Sequence, residues 1–187
     1  MIIMSKWNLL QKLQLTLAII KPDVVAHPHR LKEVKQLILN NNFYFVRSQE
    51  RRLQRKIVEQ FYAEHKGRFF FNRLVGFMSS GPISVHILAR EDAIAKWREA
   101  MGPTKTFRAK HEVPDSIRAR FGLTDTRNAT HGSDSAETAR KEMTFFFPDF
   151  DIDDWYQNQE PSFRTGQVTF CERRTLHYVA KMEIENR

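Results

Sequence analysis

Leu15-Thr16-Leu17-Ala18-Ile19-Ile20 is an apolar run of the right length for a buried strand, and Lys21-Pro22 stops it, because a residue before proline is kept out of helical angles. The run predicts a central strand that delivers a lysine to its carboxyl end. Leu31, Val34, Leu37 and Ile38 then recur at helical spacing and are closed by Asn40-Asn41-Asn42, after which Phe43 to Gln49 alternates like a half-buried strand. Ile57, Val58, Phe61 and Tyr62 predict one helix, and Phe70, Leu74 and Phe77, after Gly67, another. The turn Ser80-Gly81-Pro82 opens a strand from Ile83 to Leu88. A helix from Glu91 to Met101 places Ile94, Trp97 and Met101 on its buried face and leaves Arg98 one residue round from it. A loop and a short strand ending at His131 follow. Ser133 or Asp134 is then the expected cap of a helix whose Ala136, Ala139, Met143 and Phe146 or Phe147 face inward. The order βαβ, helical pair, βαβα suits an α+β chain with a ferredoxin-like layout, a four-stranded antiparallel sheet with helices on one face.

At 187 residues, with 41% hydrophobic and 12% aromatic residues, the chain suits one domain, read here as 14–155, with an N-terminal segment 1–13 and a C-terminal extension 156–187. Its single cysteine, Cys171, excludes an internal disulfide. The net charge of +8 is uneven: residues 1–56 hold 11 Lys plus Arg against 3 Asp plus Glu, and the rest balances. Such a basic half suits a protein partner, or a site that draws in a polyanionic nucleotide. Its cations lack the aromatic interleaving of a strand-binding surface, which argues against nucleic acid. No run of about 18 apolar residues is present, so no transmembrane span is expected. The acid-poor, amphipathic start carries Lys6 and Lys12 and resembles a short mitochondrial transit peptide without arginine; a cytoplasmic chain with a frayed N-terminus is the alternative.

The stretch richest in chemistry is Asn128-Ala129-Thr130-His131-Gly132-Ser133-Asp134-Ser135. A histidine on a glycine hinge ahead of a helix, with hydroxyl and carboxylate groups around it, can be held in one tautomer and offered as a nucleophile. Taken alone, such a histidine is more often a surface turn residue.

The motif resembles the Asn-x-x-His-Gly-Ser-Asp-Ser signature of the nucleoside diphosphate kinases, and Ala18-Ile19-Ile20-Lys21-Pro22-Asp23 resembles that family's first strand and its phosphate-facing lysine. Between and after these blocks, Tyr62, Arg68, Phe70, Arg98, Thr104, Arg118 and Glu142 stand where the family pattern asks for them. The resemblance implies the same ferredoxin-like fold and a ping-pong reaction, in which His131 takes the γ-phosphoryl group of a nucleoside triphosphate and passes it to a nucleoside diphosphate. It gives Lys21 to phosphate and ribose, Arg98 and Arg118 to the β and γ phosphates, and Thr104 to the β phosphate. Asn128 binds the sugar 3′-hydroxyl, and Phe70 stacks on the base without choosing it, a contact worth about 1–3 kcal/mol. Glu142, steadied by Ser133, orients the imidazole, and Tyr62 sets its hydroxyl beside it. Mg²⁺ is implied as the cofactor, arriving on the nucleotide phosphates, with Asp134 reaching it through water.

Three departures qualify that picture. The loop Lys105 to Ile117 is longer than the commonest family form; as it normally helps build the trimeric contacts of a hexamer, a dimer or monomer is expected instead. Asp125 falls where the pattern has an apolar residue under the base, which loosens base packing. Together with the Phe147-Pro148-Asp149-Phe150 segment and the tail, these features resemble a divergent branch of the family, and some divergent branches keep the motif with weak activity. In the extension, Gln167 to Phe170 and Thr175 to Val179 predict a docked hairpin joined by Glu172-Arg173-Arg174. A weakly active or partner-dependent nucleotide-binding scaffold is the alternative function.

Overall fold

The computed structural model describes residues 11–179; the targeting reading of residues 1–13 therefore falls almost wholly outside the described residues. The elements run β1 (Gln14–Ile20), α1 (Pro22–Val25), α2 (Pro28–Asn40), β2 (Tyr44–Arg52), α3 (Arg55–Phe61), α4 (Phe71–Met78), β3 (Pro82–Arg90) and α5 (Ala93–Met101). They continue with α6 (Thr106–Glu112), α7 (Ile117–Phe121), β4 (Thr130–Gly132), α8 (Ala136–Phe146), α9 (Ile152–Asn158), α10 (Glu160–Arg164), β5 (Val168–Cys171) and β6 (Leu176–Val179). β1 to β4 form one antiparallel sheet in the order β2-β3-β1-β4. The sheet is the one expected, and Pro22 begins α1 directly after Lys21.

The one-face arrangement of helices needs correction. Leu15, Leu17 and Ile19 of β1 point into a core shared with Val58, Leu74, Met78, Met143 and Phe146 of α3, α4 and α8. Ala18 and Ile20 point the other way, into a core with Val34, Ile38, Trp97, Met101 and Phe121 of α2, α5 and α7. The crossover helices α2 and α5 cover the expected face, and the helical pair with α8 covers the opposite one. The reason is in β1 itself, which is buried at every position from Leu15 to Ile20, so the strand needs an apolar partner on both sides. The span 105–117, read as loop, contains α6, held by an Arg108–Glu112 ion pair one turn apart and by the burial of Ala109.

Gly132 lies where β4 crosses α5. A Cβ there would overlap the Trp97 indole, whose Nε1 donates to the His131 carbonyl at 3.1 Å. This close approach sets the backbone of the signature histidine against a fully buried tryptophan. α8 is capped by Ser135, not by Ser133 or Asp134: Ser135 Oγ accepts from the Thr138 amide at 3.1 Å, and Ala136 stays exposed. Ser133 is unavailable because its hydroxyl is committed to Glu142.

Trp155 and Phe163 of the C-terminal segment are fully buried in the first core, and buried Glu160 accepts from the Leu13 amide at 2.9 Å. The β5–β6 hairpin forms where it was expected, with a 3-10 turn at Glu172–Arg174, and it is docked against the edge strand β2. The Phe45 amide donates to His177 Nδ1 at 2.9 Å, and the Ser48 hydroxyl donates to the Thr175 carbonyl at 2.5 Å. An edge strand left bare would invite pairing with another chain.

Candidate active site

Two neighbouring strands bring the sequence motifs together. β1 pairs with β4 so that Ile19 faces His131 and Ile20 faces Thr130, which sets Lys21, one residue beyond β1, beside the start of the signature. The Lys21 amide donates to the Ala129 carbonyl at 2.8 Å, and the Ala129 amide donates to Asp23 Oδ2 at 3.2 Å. Ala129 sits at φ 68°, and the Thr130 amide closes a γ-turn onto the Asn128 carbonyl at 2.8 Å. A buried alanine in the left-handed region is strained by about 1–2 kcal/mol, and here both of its peptide groups are pinned by the lysine block.

The Lys21 ammonium donates to Asn128 Oδ1 at 2.6 Å, and Asn128 Nδ2 donates to the Thr104 carbonyl at 3.1 Å. Arg118 donates to the carbonyls of Gly102 at 2.8 Å and Thr130 at 3.2 Å, and reaches Thr104 Oγ1 at 3.4 Å. Burial, the Arg118 charge and, in opposition, Asp23 bring the Lys21 pKa down from 10.5 to about 7. Burial and then Arg98 lower Arg118 to about 10. Burial also raises the carboxyl of Asp23, against the pull of the Ala129 amide and Lys21. Three cations held this closely, with two of them desolvated, form a site prepared for an anion.

His131 Nε2 lies 2.8 Å from Glu142 Oε1, and Ser133 Oγ donates to Glu142 Oε2 at 2.5 Å. Facing an acceptor carboxylate, the neutral imidazole carries its proton on Nε2 and keeps the lone pair on Nδ1. The imidazole is flanked edge-on by Phe61, with centroids 5.4 Å apart, and by Tyr62 at 6.0 Å. The Tyr62 hydroxyl and Arg118 Nε are both buried and without a hydrogen-bond partner among the described residues. Since both residues line the same cleft, these are polar groups that a phosphate could satisfy.

A cleft of about 560 Å³ gathers Lys21, Tyr62, Phe70, Arg98, Thr104, Arg118, Asn128, His131, Asp134 and Glu142, which is every expected site residue except Ser133. Ser133 stands behind Glu142, 1% exposed. Arg68 is exposed and does not line the cleft. Residues that the sequence reading did not place here include Glu64, His65, Phe69, Arg73, Lys105 and Thr126. Asp125 lines the cleft and accepts from the Thr106 amide at 3.2 Å, so it is a side chain tied to the start of α6. A larger groove of about 840 Å³ between α4 and α6 shares Arg73, Asp125 and Thr126 with the cleft but holds none of the expected site residues.

Residues 14–152 match the family model described as Nucleoside diphosphate kinase. Nucleoside diphosphate kinase 6 of Homo sapiens is 56% identical over 170 residues, 91% of each chain, and the Xenopus tropicalis protein of that name is 55% identical over 174 residues, 93% of this chain and 97% of its own. Among solved structures, the Aquifex aeolicus nucleoside diphosphate kinase superposes with a TM-score of 0.68 at 39% identity, over 72% of this chain and 95% of its own. With the family model spanning residues 14–152 and relatives more than 50% identical over nine tenths of the chain, the chain belongs to the nucleoside diphosphate kinase family.

Proposed function

We propose that the protein transfers the γ-phosphoryl group of a nucleoside triphosphate to a nucleoside diphosphate by a ping-pong route through His131. Family membership supports nucleotide binding and phosphoryl transfer in general. The observation that carries the finer reading is the Ser133–Glu142–His131 chain, which leaves Nδ1 as the free nitrogen in a cleft with Lys21, Arg98 and Arg118. In the first half-reaction the Nδ1 lone pair attacks the γ-phosphorus while the bond to the bridging oxygen breaks, and the electron pair leaves with the diphosphate. The phosphorylated ring still carries its Nε2 proton and is cationic, and the Glu142 carboxylate faces that charge. In the second, a terminal oxygen of the acceptor diphosphate attacks the same phosphorus while the P–Nδ1 bond breaks, and its electron pair returns to Nδ1 to restore neutral His131.

Lys21, Arg98 and Arg118 balance the phosphate charge, with Thr104 as a donor to the β phosphate. Asn128 and Lys21 form the sugar end, and Phe70 offers the base a stacking face. Mg²⁺ fits this donor set. Asp134 on the cleft rim is held below the usual carboxylate range, first by the Thr138 hydroxyl, and is therefore ionised. In this reading the ion is carried by the nucleotide phosphates and water, with Asp134 reaching it through water. When bound, it would neutralise charge on the phosphates.

The test is to expose the protein and a His131→Ala variant to Mg²⁺ and γ-labelled ATP, remove the ATP, and add GDP. Acid-labile label should appear on the wild type alone and then move to GDP. Nucleotide binding without retained label would replace this reading with the second one, a partner-dependent scaffold. That second reading is favoured by the large apolar side chains left exposed around the clefts, Phe69 at 92% and Phe107 at 75%. A monomer or dimer is tested by sedimentation. Mitochondrial placement is tested by fractionating cells that express the chain with and without residues 1–13.

A further inference from the structure

We propose that His65 is a positioning residue that braces the base-stacking Phe70 and the Tyr62 ring with one side chain, so that phosphoryl transfer at His131 is faster when a nucleobase occupies the cleft. The proposal rests on the phosphoryl-transfer reading above and assigns the coupling to a residue outside the expected set.

Ala63–His65 is a 3-10 turn between α3 and α4, closed by the His65 amide on the Tyr62 carbonyl at 2.9 Å. Residues three apart eclipse in such a turn. Tyr62 and His65 accordingly stack, with centroids 6.0 Å apart and planes at 17°. Gly67 at φ 86° then reverses the chain, and the Arg68 amide bonds back to the His65 carbonyl at 3.0 Å, which returns Phe70 edge-on to the imidazole at 5.4 Å. Tyr62 in turn meets the His131 ring at 6.0 Å, with the planes at 89°. The rings of Phe70, His65, Tyr62 and His131 are thus in unbroken contact from the base platform to the nucleophile.

The bridge matters because, before a phosphate arrives, no polar contact among the described residues fixes Tyr62. Its hydroxyl has no hydrogen-bond partner among the described residues, so the position of the ring depends on packing alone. Phe61 supports it at 4.7 Å and 76°, and His65 covers it face to face. His65 lines the cleft with its side chain 36% exposed, and it is held by these rings and by a contact of 3.7 Å to Glu64. A base stacked on Phe70 restrains that ring, and through His65 it restrains Tyr62. Inorganic tripolyphosphate offers the same phosphates, and so can engage the Tyr62 hydroxyl, but with no base it leaves Phe70 and the His65 end of the bridge unrestrained.

Single-turnover phosphorylation of His131 at saturating ATP and at saturating tripolyphosphate, both with Mg²⁺, separates these donors. His65→Ala should lower the ATP rate about tenfold and leave the tripolyphosphate rate within about twofold, a loss of the size that small misplacement causes. His65→Phe, which keeps a ring, should restore the ATP rate, and His65→Gln should not. Unchanged ATP kinetics in His65→Ala, or a proportional loss with both donors, overturns the proposal. If the wild type takes label from neither donor, the phosphoryl-transfer reading fails and calorimetry decides the bracing. A GDP affinity about tenfold weaker in His65→Ala, with tripolyphosphate affinity unchanged and His65→Phe like wild type, supports it; equal GDP affinities refute it.

Discussion

Binding of a nucleotide should draw a proton from solution, and Lys21 is the group that takes it up. Lys21 is 6% exposed, and its ammonium meets two neutral acceptors, Asn128 Oδ1 at 2.6 Å and the Thr126 carbonyl at 3.4 Å. Burial, with the Arg118 charge added and Asp23 opposing, puts its pKa at about 7. At pH 8 about nine in ten free molecules then carry neutral Lys21. The phosphates of a nucleotide set several negative charges against that amine and favour the ammonium. Uptake should approach about one proton per nucleotide at pH 8 and fall toward zero at pH 6, where Lys21 is already charged. Calorimetry of GDP binding in buffers of different ionisation enthalpy reads this number directly. Lys21→Met keeps the bulk of the side chain and should abolish the pH 8 uptake. Uptake below about 0.2 proton in the wild type, or the same uptake in Lys21→Met, would refute the reasoning.

Stability carries the same signature. An unfolded chain holds the Lys21 proton up to its ordinary pKa of 10.5, and the folded chain releases it above about 7. The unfolded state therefore binds more protons within that window, and the stability of the apo protein, measured relative to Lys21→Met, rises with pH from about 7 to 10.5. Below the window both states are charged and the full penalty of the buried ammonium remains, on the order of 5 kcal/mol at about 1.4 kcal/mol per pK unit.

Glu142→Gln can still accept from His131 Nε2 but cannot face the cationic ring with charge; single-turnover labelling should slow about 10- to 100-fold while GDP affinity stays within about twofold. Gly132→Ala drives a methyl into the Trp97 indole and should destabilise the fold by about 1–3 kcal/mol, read from urea unfolding. Burial lowers His177 to about 4, and His86, buried and beside the Lys35 charge, to about 3. The unfolded chain takes up protons on both between pH 6.5 and about 4, so stability should fall as pH drops through that range, and His177→Phe should blunt the fall.

The parts of this protein that were legible in the sequence are those where one segment carries its own signal. The β1 run, the β3 run after Gly81 and the α5 stripe of Ile94, Trp97 and Met101 each announce an element by period and punctuation. The His131 signature and the Lys21-Pro22 stop were equally local. Two features were not legible. α6 has no apolar stripe at helical spacing in Thr106–Glu112; it forms because Ala109 and Thr106 are covered by tertiary contacts, with Thr106 tied to Asp125 and Thr124. His65 resembles any polar loop residue until the 3-10 turn eclipses it with Tyr62. The two-sided helical cover was present in β1 as an absence of polar alternation, but an apolar strand does not say which helices will meet each face.

Ala129 shows most clearly why the site could be named from sequence without being built from it. Nothing in Asn128-Ala129-Thr130 signals a left-handed residue, since glycine or asparagine is the usual choice for such a backbone. The alanine is held there from outside, by the Lys21 amide on its carbonyl and by the Asp23 carboxylate on its amide. The γ-turn it makes keeps Asn128 facing Lys21 and Thr104 on one side and releases His131 into strand pairing with Ile19 on the other. The Lys21 block and the His131 signature are thus not two motifs that happen to converge. One strand pairing and one strained turn fix them as a single unit, and the strain is borne because the two blocks lock each other, so a change in either should be felt at the other.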